Sequence, residues 1–161
     1  MTTRDYNTCV DEHADGVYRF ILKNLKHEDD ARDVVQDAFE KLWINHSGIS
    51  AAKAKSYLFT TAYHNMIDHI RKMKPVGSIE EIPEIGEAGL DNYSDLREVL
   101  NEALDKLNEI QRSVILLRDY EGYSYQEIGE ITGLNESQVK VYIYRARTFL
   151  KNYFVSPEHI I

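Results

Sequence analysis

Cysteine, proline and long apolar runs are all scarce in this chain, and each shortage closes off a class of protein. Cys9 is the sole cysteine, so no intramolecular disulfide can form and a disulfide-stapled secreted scaffold is excluded. Alone near one end, it is given no role. No cysteine pair or histidine-rich cluster offers a zinc site, and no metal or cofactor is expected. No apolar run approaches the ~20 residues that span a bilayer, and no apolar signal region opens the sequence. Neither membrane insertion nor export is expected, and the chain reads as cytoplasmic. Strand-like alternation is missing too. So is an excess of positive charge: 19 Lys plus Arg stand against 27 Asp plus Glu, for a formal net charge of −8 and a pI of about 5.2. A simple basic nucleic-acid binder would sit above pI 9.

What the chain has is helical period and uneven charge. Its hydrophobic content of 43% suffices for a packed core. Amphipathic helices are predicted over 12–26, through Val17, Phe20, Ile21 and Leu25, and over 30–45 after a polar break at 27–29. Others are predicted over 54–73, 94–107, 109–120, 125–132 and 136–153. Residues 75–93 hold two of the three prolines and three of the eight glycines and show no hydrophobic face, so they read as a linker. The expected fold is all-α: two small helical bundles joined by an acidic tether, with boundaries at 1–74, 75–93 and 94–161. Residues 1–52 carry 6 basic and 10 acidic groups, 53–76 carry 5 and 1, 77–109 carry 2 and 10, and 110–161 carry 6 and 6. Two basic patches separated by acidic segments suit a protein that touches nucleic acid in two places and protein elsewhere. The acidic linker is itself expected to compete for those cationic surfaces in the free chain.

Residues 124–151 are the most informative stretch. Ser124 with Glu127 forms a capping box for a short helix anchored by Ile128 and Ile131. Gly129 leaves room for a second helix to approach, and Gly133 supplies the left-handed turn. Asn135 with Gln138 opens the next helix in the same way. On that helix Val139, Ile143, Ala146 and Leu150 fall within about 60° of arc, and Lys140, Tyr144, Arg147 and Lys151 form a separate stripe roughly 110° away. No acidic residue occurs from Ser137 through Pro157. Such a helix can pack on its own domain and still offer cations to a phosphate backbone.

Two other helices carry distinctive polar faces. In 30–45, Ala31, Val35, Ala38 and Leu42 line one side, while Asp33, Gln36, Asp37 and Glu40 gather on the other. That acidic face is either simply solvated or a dock for a basic partner, and Trp43 belongs equally to a core or to such an interface. Helix 54–73 interleaves Tyr57, Phe59, Tyr63, His64, Asn65 and His69 with Lys53, Lys55, Arg71, Lys72 and Lys74, the mixture of rings, amide and charge that single-stranded nucleic acid requires. Several of those rings must be core. His64 and Asp68 at i,i+4 could hold a metal or support acid–base chemistry, but no third ligand is near, and a surface pair is the plainer account.

Taken together, Asp30 through Trp43, Ala54 through Arg71, and Leu107 through Arg118 followed by Glu121–Gly129 and Val139–Arg147 resemble bacterial extracytoplasmic-function sigma factors. The likeness covers roughly residues 17 to 154 except the linker. It implies a two-domain initiation factor, not an enzyme, that recruits core RNA polymerase to promoter DNA. Asp33, Gln36, Asp37 and Glu40 would dock on core polymerase. Tyr63, Asn65, Arg71 and Lys72 would capture and melt the −10 element. Gln138, Lys140, Val141, Tyr144 and Arg145 would read the −35 element in the major groove, with Arg147 and Lys151 nearer the phosphates. An anti-sigma factor is a further implied partner. Tyr142 and Tyr144 give the recognition helix an unusual aromatic surface, and Arg145 lies roughly 130° from the Lys140–Lys151 stripe on the wheel, so either the contact faces are broad or Arg145 is structural. Two other readings are a helix-turn-helix regulator with an N-terminal partner-binding bundle, and a small helical enzyme using His64 and Asp68.

Overall fold

A computed structural model describes residues 1–73 and 92–155 of the chain. The first helix, α1 (Thr3–Leu25), begins well before the expected residue 12. Its start is a capping box: the Thr2 hydroxyl accepts from the Asp5 N–H at 3.1 Å and Asp5 accepts from the Thr2 N–H at 3.0 Å. Asp stands where Glu or Gln is usual, which is why the signal was missed. The helix ends at Lys26, in the left-handed conformation at φ 60°. His27 then caps α2 (Glu28–Ile44), its Nδ1 accepting from the Asp30 N–H, and Glu28, Asp29 and Asp30 suit the positive end of the helix dipole. Two short 3₁₀ turns, His46–Gly48 and Ala51–Lys53, lead into α3 (Ala54–Met73). Val17, Phe20, Ile21, Ala31, Val35, Ala38, Leu42, Leu58, Ala62 and Met66 form the core of this three-helix bundle.

The second half contains α4 (Asn92–Lys106), α5 (Glu109–Ile115), α6 (Tyr125–Thr132) and α7 (Glu136–Val155). Most of the stretch expected to be linker lies outside the described residues, but its last two residues, Asn92 and Tyr93, are already helical. Asn108 caps α5 by accepting from the Gln111 N–H at 2.9 Å. The helix expected to run to 120 instead widens into a π-type turn over Leu116–Tyr120, and Gly122 at φ 75° lets the chain leave it.

The two bundles do not stand apart. α3 packs against α6 and α1 against α5, and the buried side chains of both halves form one continuous cluster. Phe59, fully buried in α3, lies between Phe20 and Tyr123; the Tyr123 ring meets it edge-on with centroids 5.0 Å apart. Truncating such a residue to Ala costs roughly 3–5 kcal/mol. Ion pairs surround this contact. Arg19 grips Glu121 through two bonds of 2.9 Å, with the Glu121 side chain only 6% exposed. A Cβ at position 16 would lie 3.0 Å from a Glu121 oxygen, so Gly16 makes room for that carboxylate. Lys26 pairs with Asp105 and Lys55 with Glu127. The Arg112 Nε donates to the oxygen of buried Asn24, and the Ser56 hydroxyl to Glu130. The two expected bundles, whose relative placement the sequence leaves open, are docked face to face.

Candidate nucleic-acid and polymerase interfaces

The helix-turn-helix is built as its residues dictate. Ser124 and Glu127 exchange bonds of 3.1 and 3.2 Å at the start of α6, and Gly133 ends it at φ 80°. Asn135 and Gln138 make the second box, at 2.8 and 3.0 Å. Gly129 is needed for a closer neighbour than expected: an added Cβ would sit 2.7 Å from the Leu134 carbonyl oxygen in the turn, ahead of any contact with α7.

On α7 the inward stripe is Val139, Ile143 and Ala146, all buried, with Leu150 half-buried. Gln138, Lys140, Val141, Tyr144, Arg145, Arg147 and Lys151 are all exposed. Lys140 and Arg145 both face solvent because the buried stripe is narrow, and Arg145 makes no ion pair among the described residues. Arg147 is different. Its Nε and Nη2 bind both Asp119 oxygens, at 3.2 and 2.6 Å, and this raises its pKa further. It ties α7 to the turn after α5, so a phosphate must compete with a carboxylate for it. Lys140 pairs loosely with Glu136 at 3.5 Å and also lies 5.7 Å from the centre of the Tyr125 ring, whose other cation is Arg118 at 4.6 Å. Tyr125, Arg118 and Asp119 were not singled out from sequence; no periodicity marks residues whose partners lie on other elements.

On α2, Asp33, Gln36 and Glu40 are exposed, and Gln36 reaches Glu40 at 3.4 Å. Asp37 is half-buried, because it accepts a 2.6 Å bond from the Asn65 amide and pairs with Lys41 at 3.1 Å. Lys41 in turn donates to the Asn65 oxygen at 3.4 Å. The expected polymerase dock and the expected −10 reader are thus joined in one small network across α2 and α3. Trp43 is 42% exposed and no core residue; it stacks on His46 at 4.4 Å and meets Tyr6 edge-on.

Of the expected −10 residues, Arg71 and Lys72 are exposed near the end of α3. Tyr63 is covered in this docked arrangement. It is 5% exposed, and burial, with Glu109 adding to it, pushes its hydroxyl pKa up to about 12. With the two halves docked it offers no open ring face to a base. His64 and Asp68 are exposed and share no hydrogen bond or ion pair, and no group of three or more His, Cys, Asp or Glu fit to hold a metal occurs among the described residues. Cys9 is buried, and burial raises its thiol pKa. No described helix is long and apolar enough to cross a membrane.

The family description Sigma-70 region 2 matches residues 9–75, and Sigma-70, region 4 matches residues 97–150. The RNA polymerase sigma factor SigV of Bacillus subtilis is 31% identical over 147 residues, covering 89% of this chain and 87% of that one. The ECF RNA polymerase sigma factor SigL of Mycobacterium tuberculosis is 31% identical over 137 residues, covering 81% and 77%. Among solved structures, the fold is similar to the sigma factor RpoE of Bartonella quintana, solved in complex with the anti-sigma factor NepR, with a TM-score of 0.75 at 23% identity over 96% of this chain and 99% of that one. CnrH in complex with the cytosolic domain of CnrY gives a TM-score of 0.70 at 23% identity, covering 93% and 87%. The chain belongs to the extracytoplasmic-function family of RNA polymerase sigma factors, and its function is to recognise promoters for transcription initiation.

Proposed function

We propose that the two halves divide the promoter between them. Residues 1–74 hold core polymerase through Asp33, Gln36, Asp37 and Glu40, and engage the −10 element through Asn65, Arg71 and Lys72. Residues 94–161 read the −35 element through the outer face of α7. The observation that carries this reading is the pairing of a fully capped helix-turn-helix, carboxylate-free on its outward helix from Ser137 to Val155, with an acidic α2 face on which Asp33, Gln36 and Glu40 are exposed and Asp37 alone is partly covered by α3. An acidic face suits a basic protein surface and repels DNA, whereas the α7 face does the reverse. The chain works in the cytoplasm with core polymerase supplying the chemistry, and an anti-sigma factor that covers either surface would silence it.

Transcription from promoter DNA by core polymerase with and without this chain tests the reading. Promoter-dependent transcripts are expected only with it. Binding of the chain to promoters without any association with core polymerase would favour the helix-turn-helix regulator instead.

A further inference from the structure

The outward face of α7 has an unusual chemical composition. Val141 is 44% exposed and Tyr144 is 71% exposed, the most open aromatic side chain among the large apolar residues of the described surface. Neither is drawn into the core, although Val139, Ile143 and Ala146 beside them are buried. They stand at i,i+3, so their side chains neighbour one another at roughly 5–6 Å, close enough to address the same or adjacent base pairs. Around them are donors: Lys140, Arg145 and Gln138. The Gln138 oxygen is already committed to the Asn135 N–H in the capping box, so only its amide N–H groups remain to offer. It cannot pair bidentately with adenine without opening the cap. No carboxylate occurs from Ser137 to Pro157.

Beyond Glu136 in the first turn, whose carboxylate is paired with Lys140 at 3.5 Å, this face offers donors and apolar groups, and such a face selects among base edges. In the major groove, cytosine presents an amino donor and adenine an amino donor beside N7. Guanine presents two acceptors, and thymine one acceptor with a 5-methyl group. Adenine N7 can accept from a cation, but its amino group and that of cytosine meet no carboxylate on this face beyond Glu136, so guanine and thymine match it best. Resting on the reading of α7 as the −35 helix, we infer that Val141 and Tyr144 form a thymine-methyl contact, with Arg145 and Lys140 directed to the acceptors of guanine and thymine beside it. The occupant of this exposed apolar pair is B-DNA and not a protein partner, because the cations around it complement a phosphate-lined groove.

The test uses holoenzyme assembled from core polymerase and this chain. A promoter is first selected from a random duplex library, and each thymine in its −35 region is then replaced singly by deoxyuridine, which removes only the methyl group. At least one replacement is expected to weaken holoenzyme binding about four-fold, the worth of one buried methyl. Val141→Ala and Tyr144→Ala holoenzymes, altered only at exposed positions, are expected to lose that difference. Undiminished binding of every deoxyuridine probe by the unaltered holoenzyme overturns the inference while leaving the −35 assignment standing. A penalty that survives unchanged in both variants also overturns it. Failure of holoenzyme to enrich any sequence removes the −35 reading, and the inference with it.

Discussion

Glu121→Gln should loosen the contact between the two halves of the free chain. Promoter elements named −10 and −35 are centred about 25 base pairs apart, roughly 85 Å along B-DNA at ~3.4 Å per base pair. A compact chain of 161 residues has a radius of gyration of only about 15 Å. The docked form cannot reach both elements of straight DNA, so its halves must separate. The stretch 74–91 can span roughly 60 Å when extended, which permits that. What opposes separation is the Phe59–Tyr123 contact and the ion pairs around it, with Arg19–Glu121 the best formed. Charge-assisted bonds contribute about 1.5–3 kcal/mol when buried. Glu121 is 6% exposed but Arg19 is 50% exposed and regains water on opening, so about 2 kcal/mol is a fair loss for Glu121→Gln. That is a roughly 30-fold shift toward the open form. Dyes at the exposed positions Ser47 and Thr148, placed in a Cys9→Ala background, would report it as a longer-distance population. Salt should act in the same direction, since the screening length falls from ~10 Å at 0.1 M to ~3 Å at 1 M. Arg19→Ala combined with Glu121→Gln should be less than additive. Identical distance distributions for the unaltered chain, Glu121→Gln and Arg19→Ala at every salt concentration would refute the latch. The expected competition from the acidic linker concerns residues outside those described; direct docking of the halves is a separate reason to expect weak promoter binding by the free chain.

Asp33→Lys with Glu40→Lys should reduce pull-down of core polymerase at least tenfold without lowering Tm, because both are exposed, whereas Asp37→Lys should also lower Tm by breaking its bonds to Asn65 and Lys41. Lys140→Ala should weaken −35 binding by ~1–3 kcal/mol and relax base preference; Arg147→Ala should weaken all sequences alike, with a salt-slope change below one unit because Asp119 already neutralises it, and should also lower Tm. Gly129→Ala, whose Cβ would meet the Leu134 oxygen at 2.7 Å, should destabilise the second half by about 1–3 kcal/mol in urea titration. Glu127 has its pKa held below the ordinary 4.5 chiefly by Lys55; its contribution is therefore present above pH 4.5 and lost as pH falls through the lower folded value, and Glu127→Gln should abolish that part of the acid dependence of Tm.

Much of this molecule was written in local sequence. The bounds of α3, the two capping boxes, the glycine turn and the inward stripe of α7 each depend on residues within a few positions of one another, so periodicity and cap chemistry decide them alone. The exposed acidic side of α2 followed from the same reasoning, as did the open cationic side of α7. Tertiary structure decided the rest. Whether Tyr63 on α3 or Trp43 on α2 was core could not be read from helix periodicity alone; burial of Tyr63 depends on what packs over it, and Glu109 of the second half lies near enough for its charge to act on the hydroxyl. Pairing of Asp37 with Asn65, of Arg147 with Asp119 and of Arg19 with Glu121 joins residues 28 to 102 positions apart. Complementary charge in a sequence does not say which carboxylate an arginine meets, because many pairings satisfy the same composition. Packing within each half selects the first two pairs, and docking of the halves, with Phe59 on Tyr123 at its centre, selects the third.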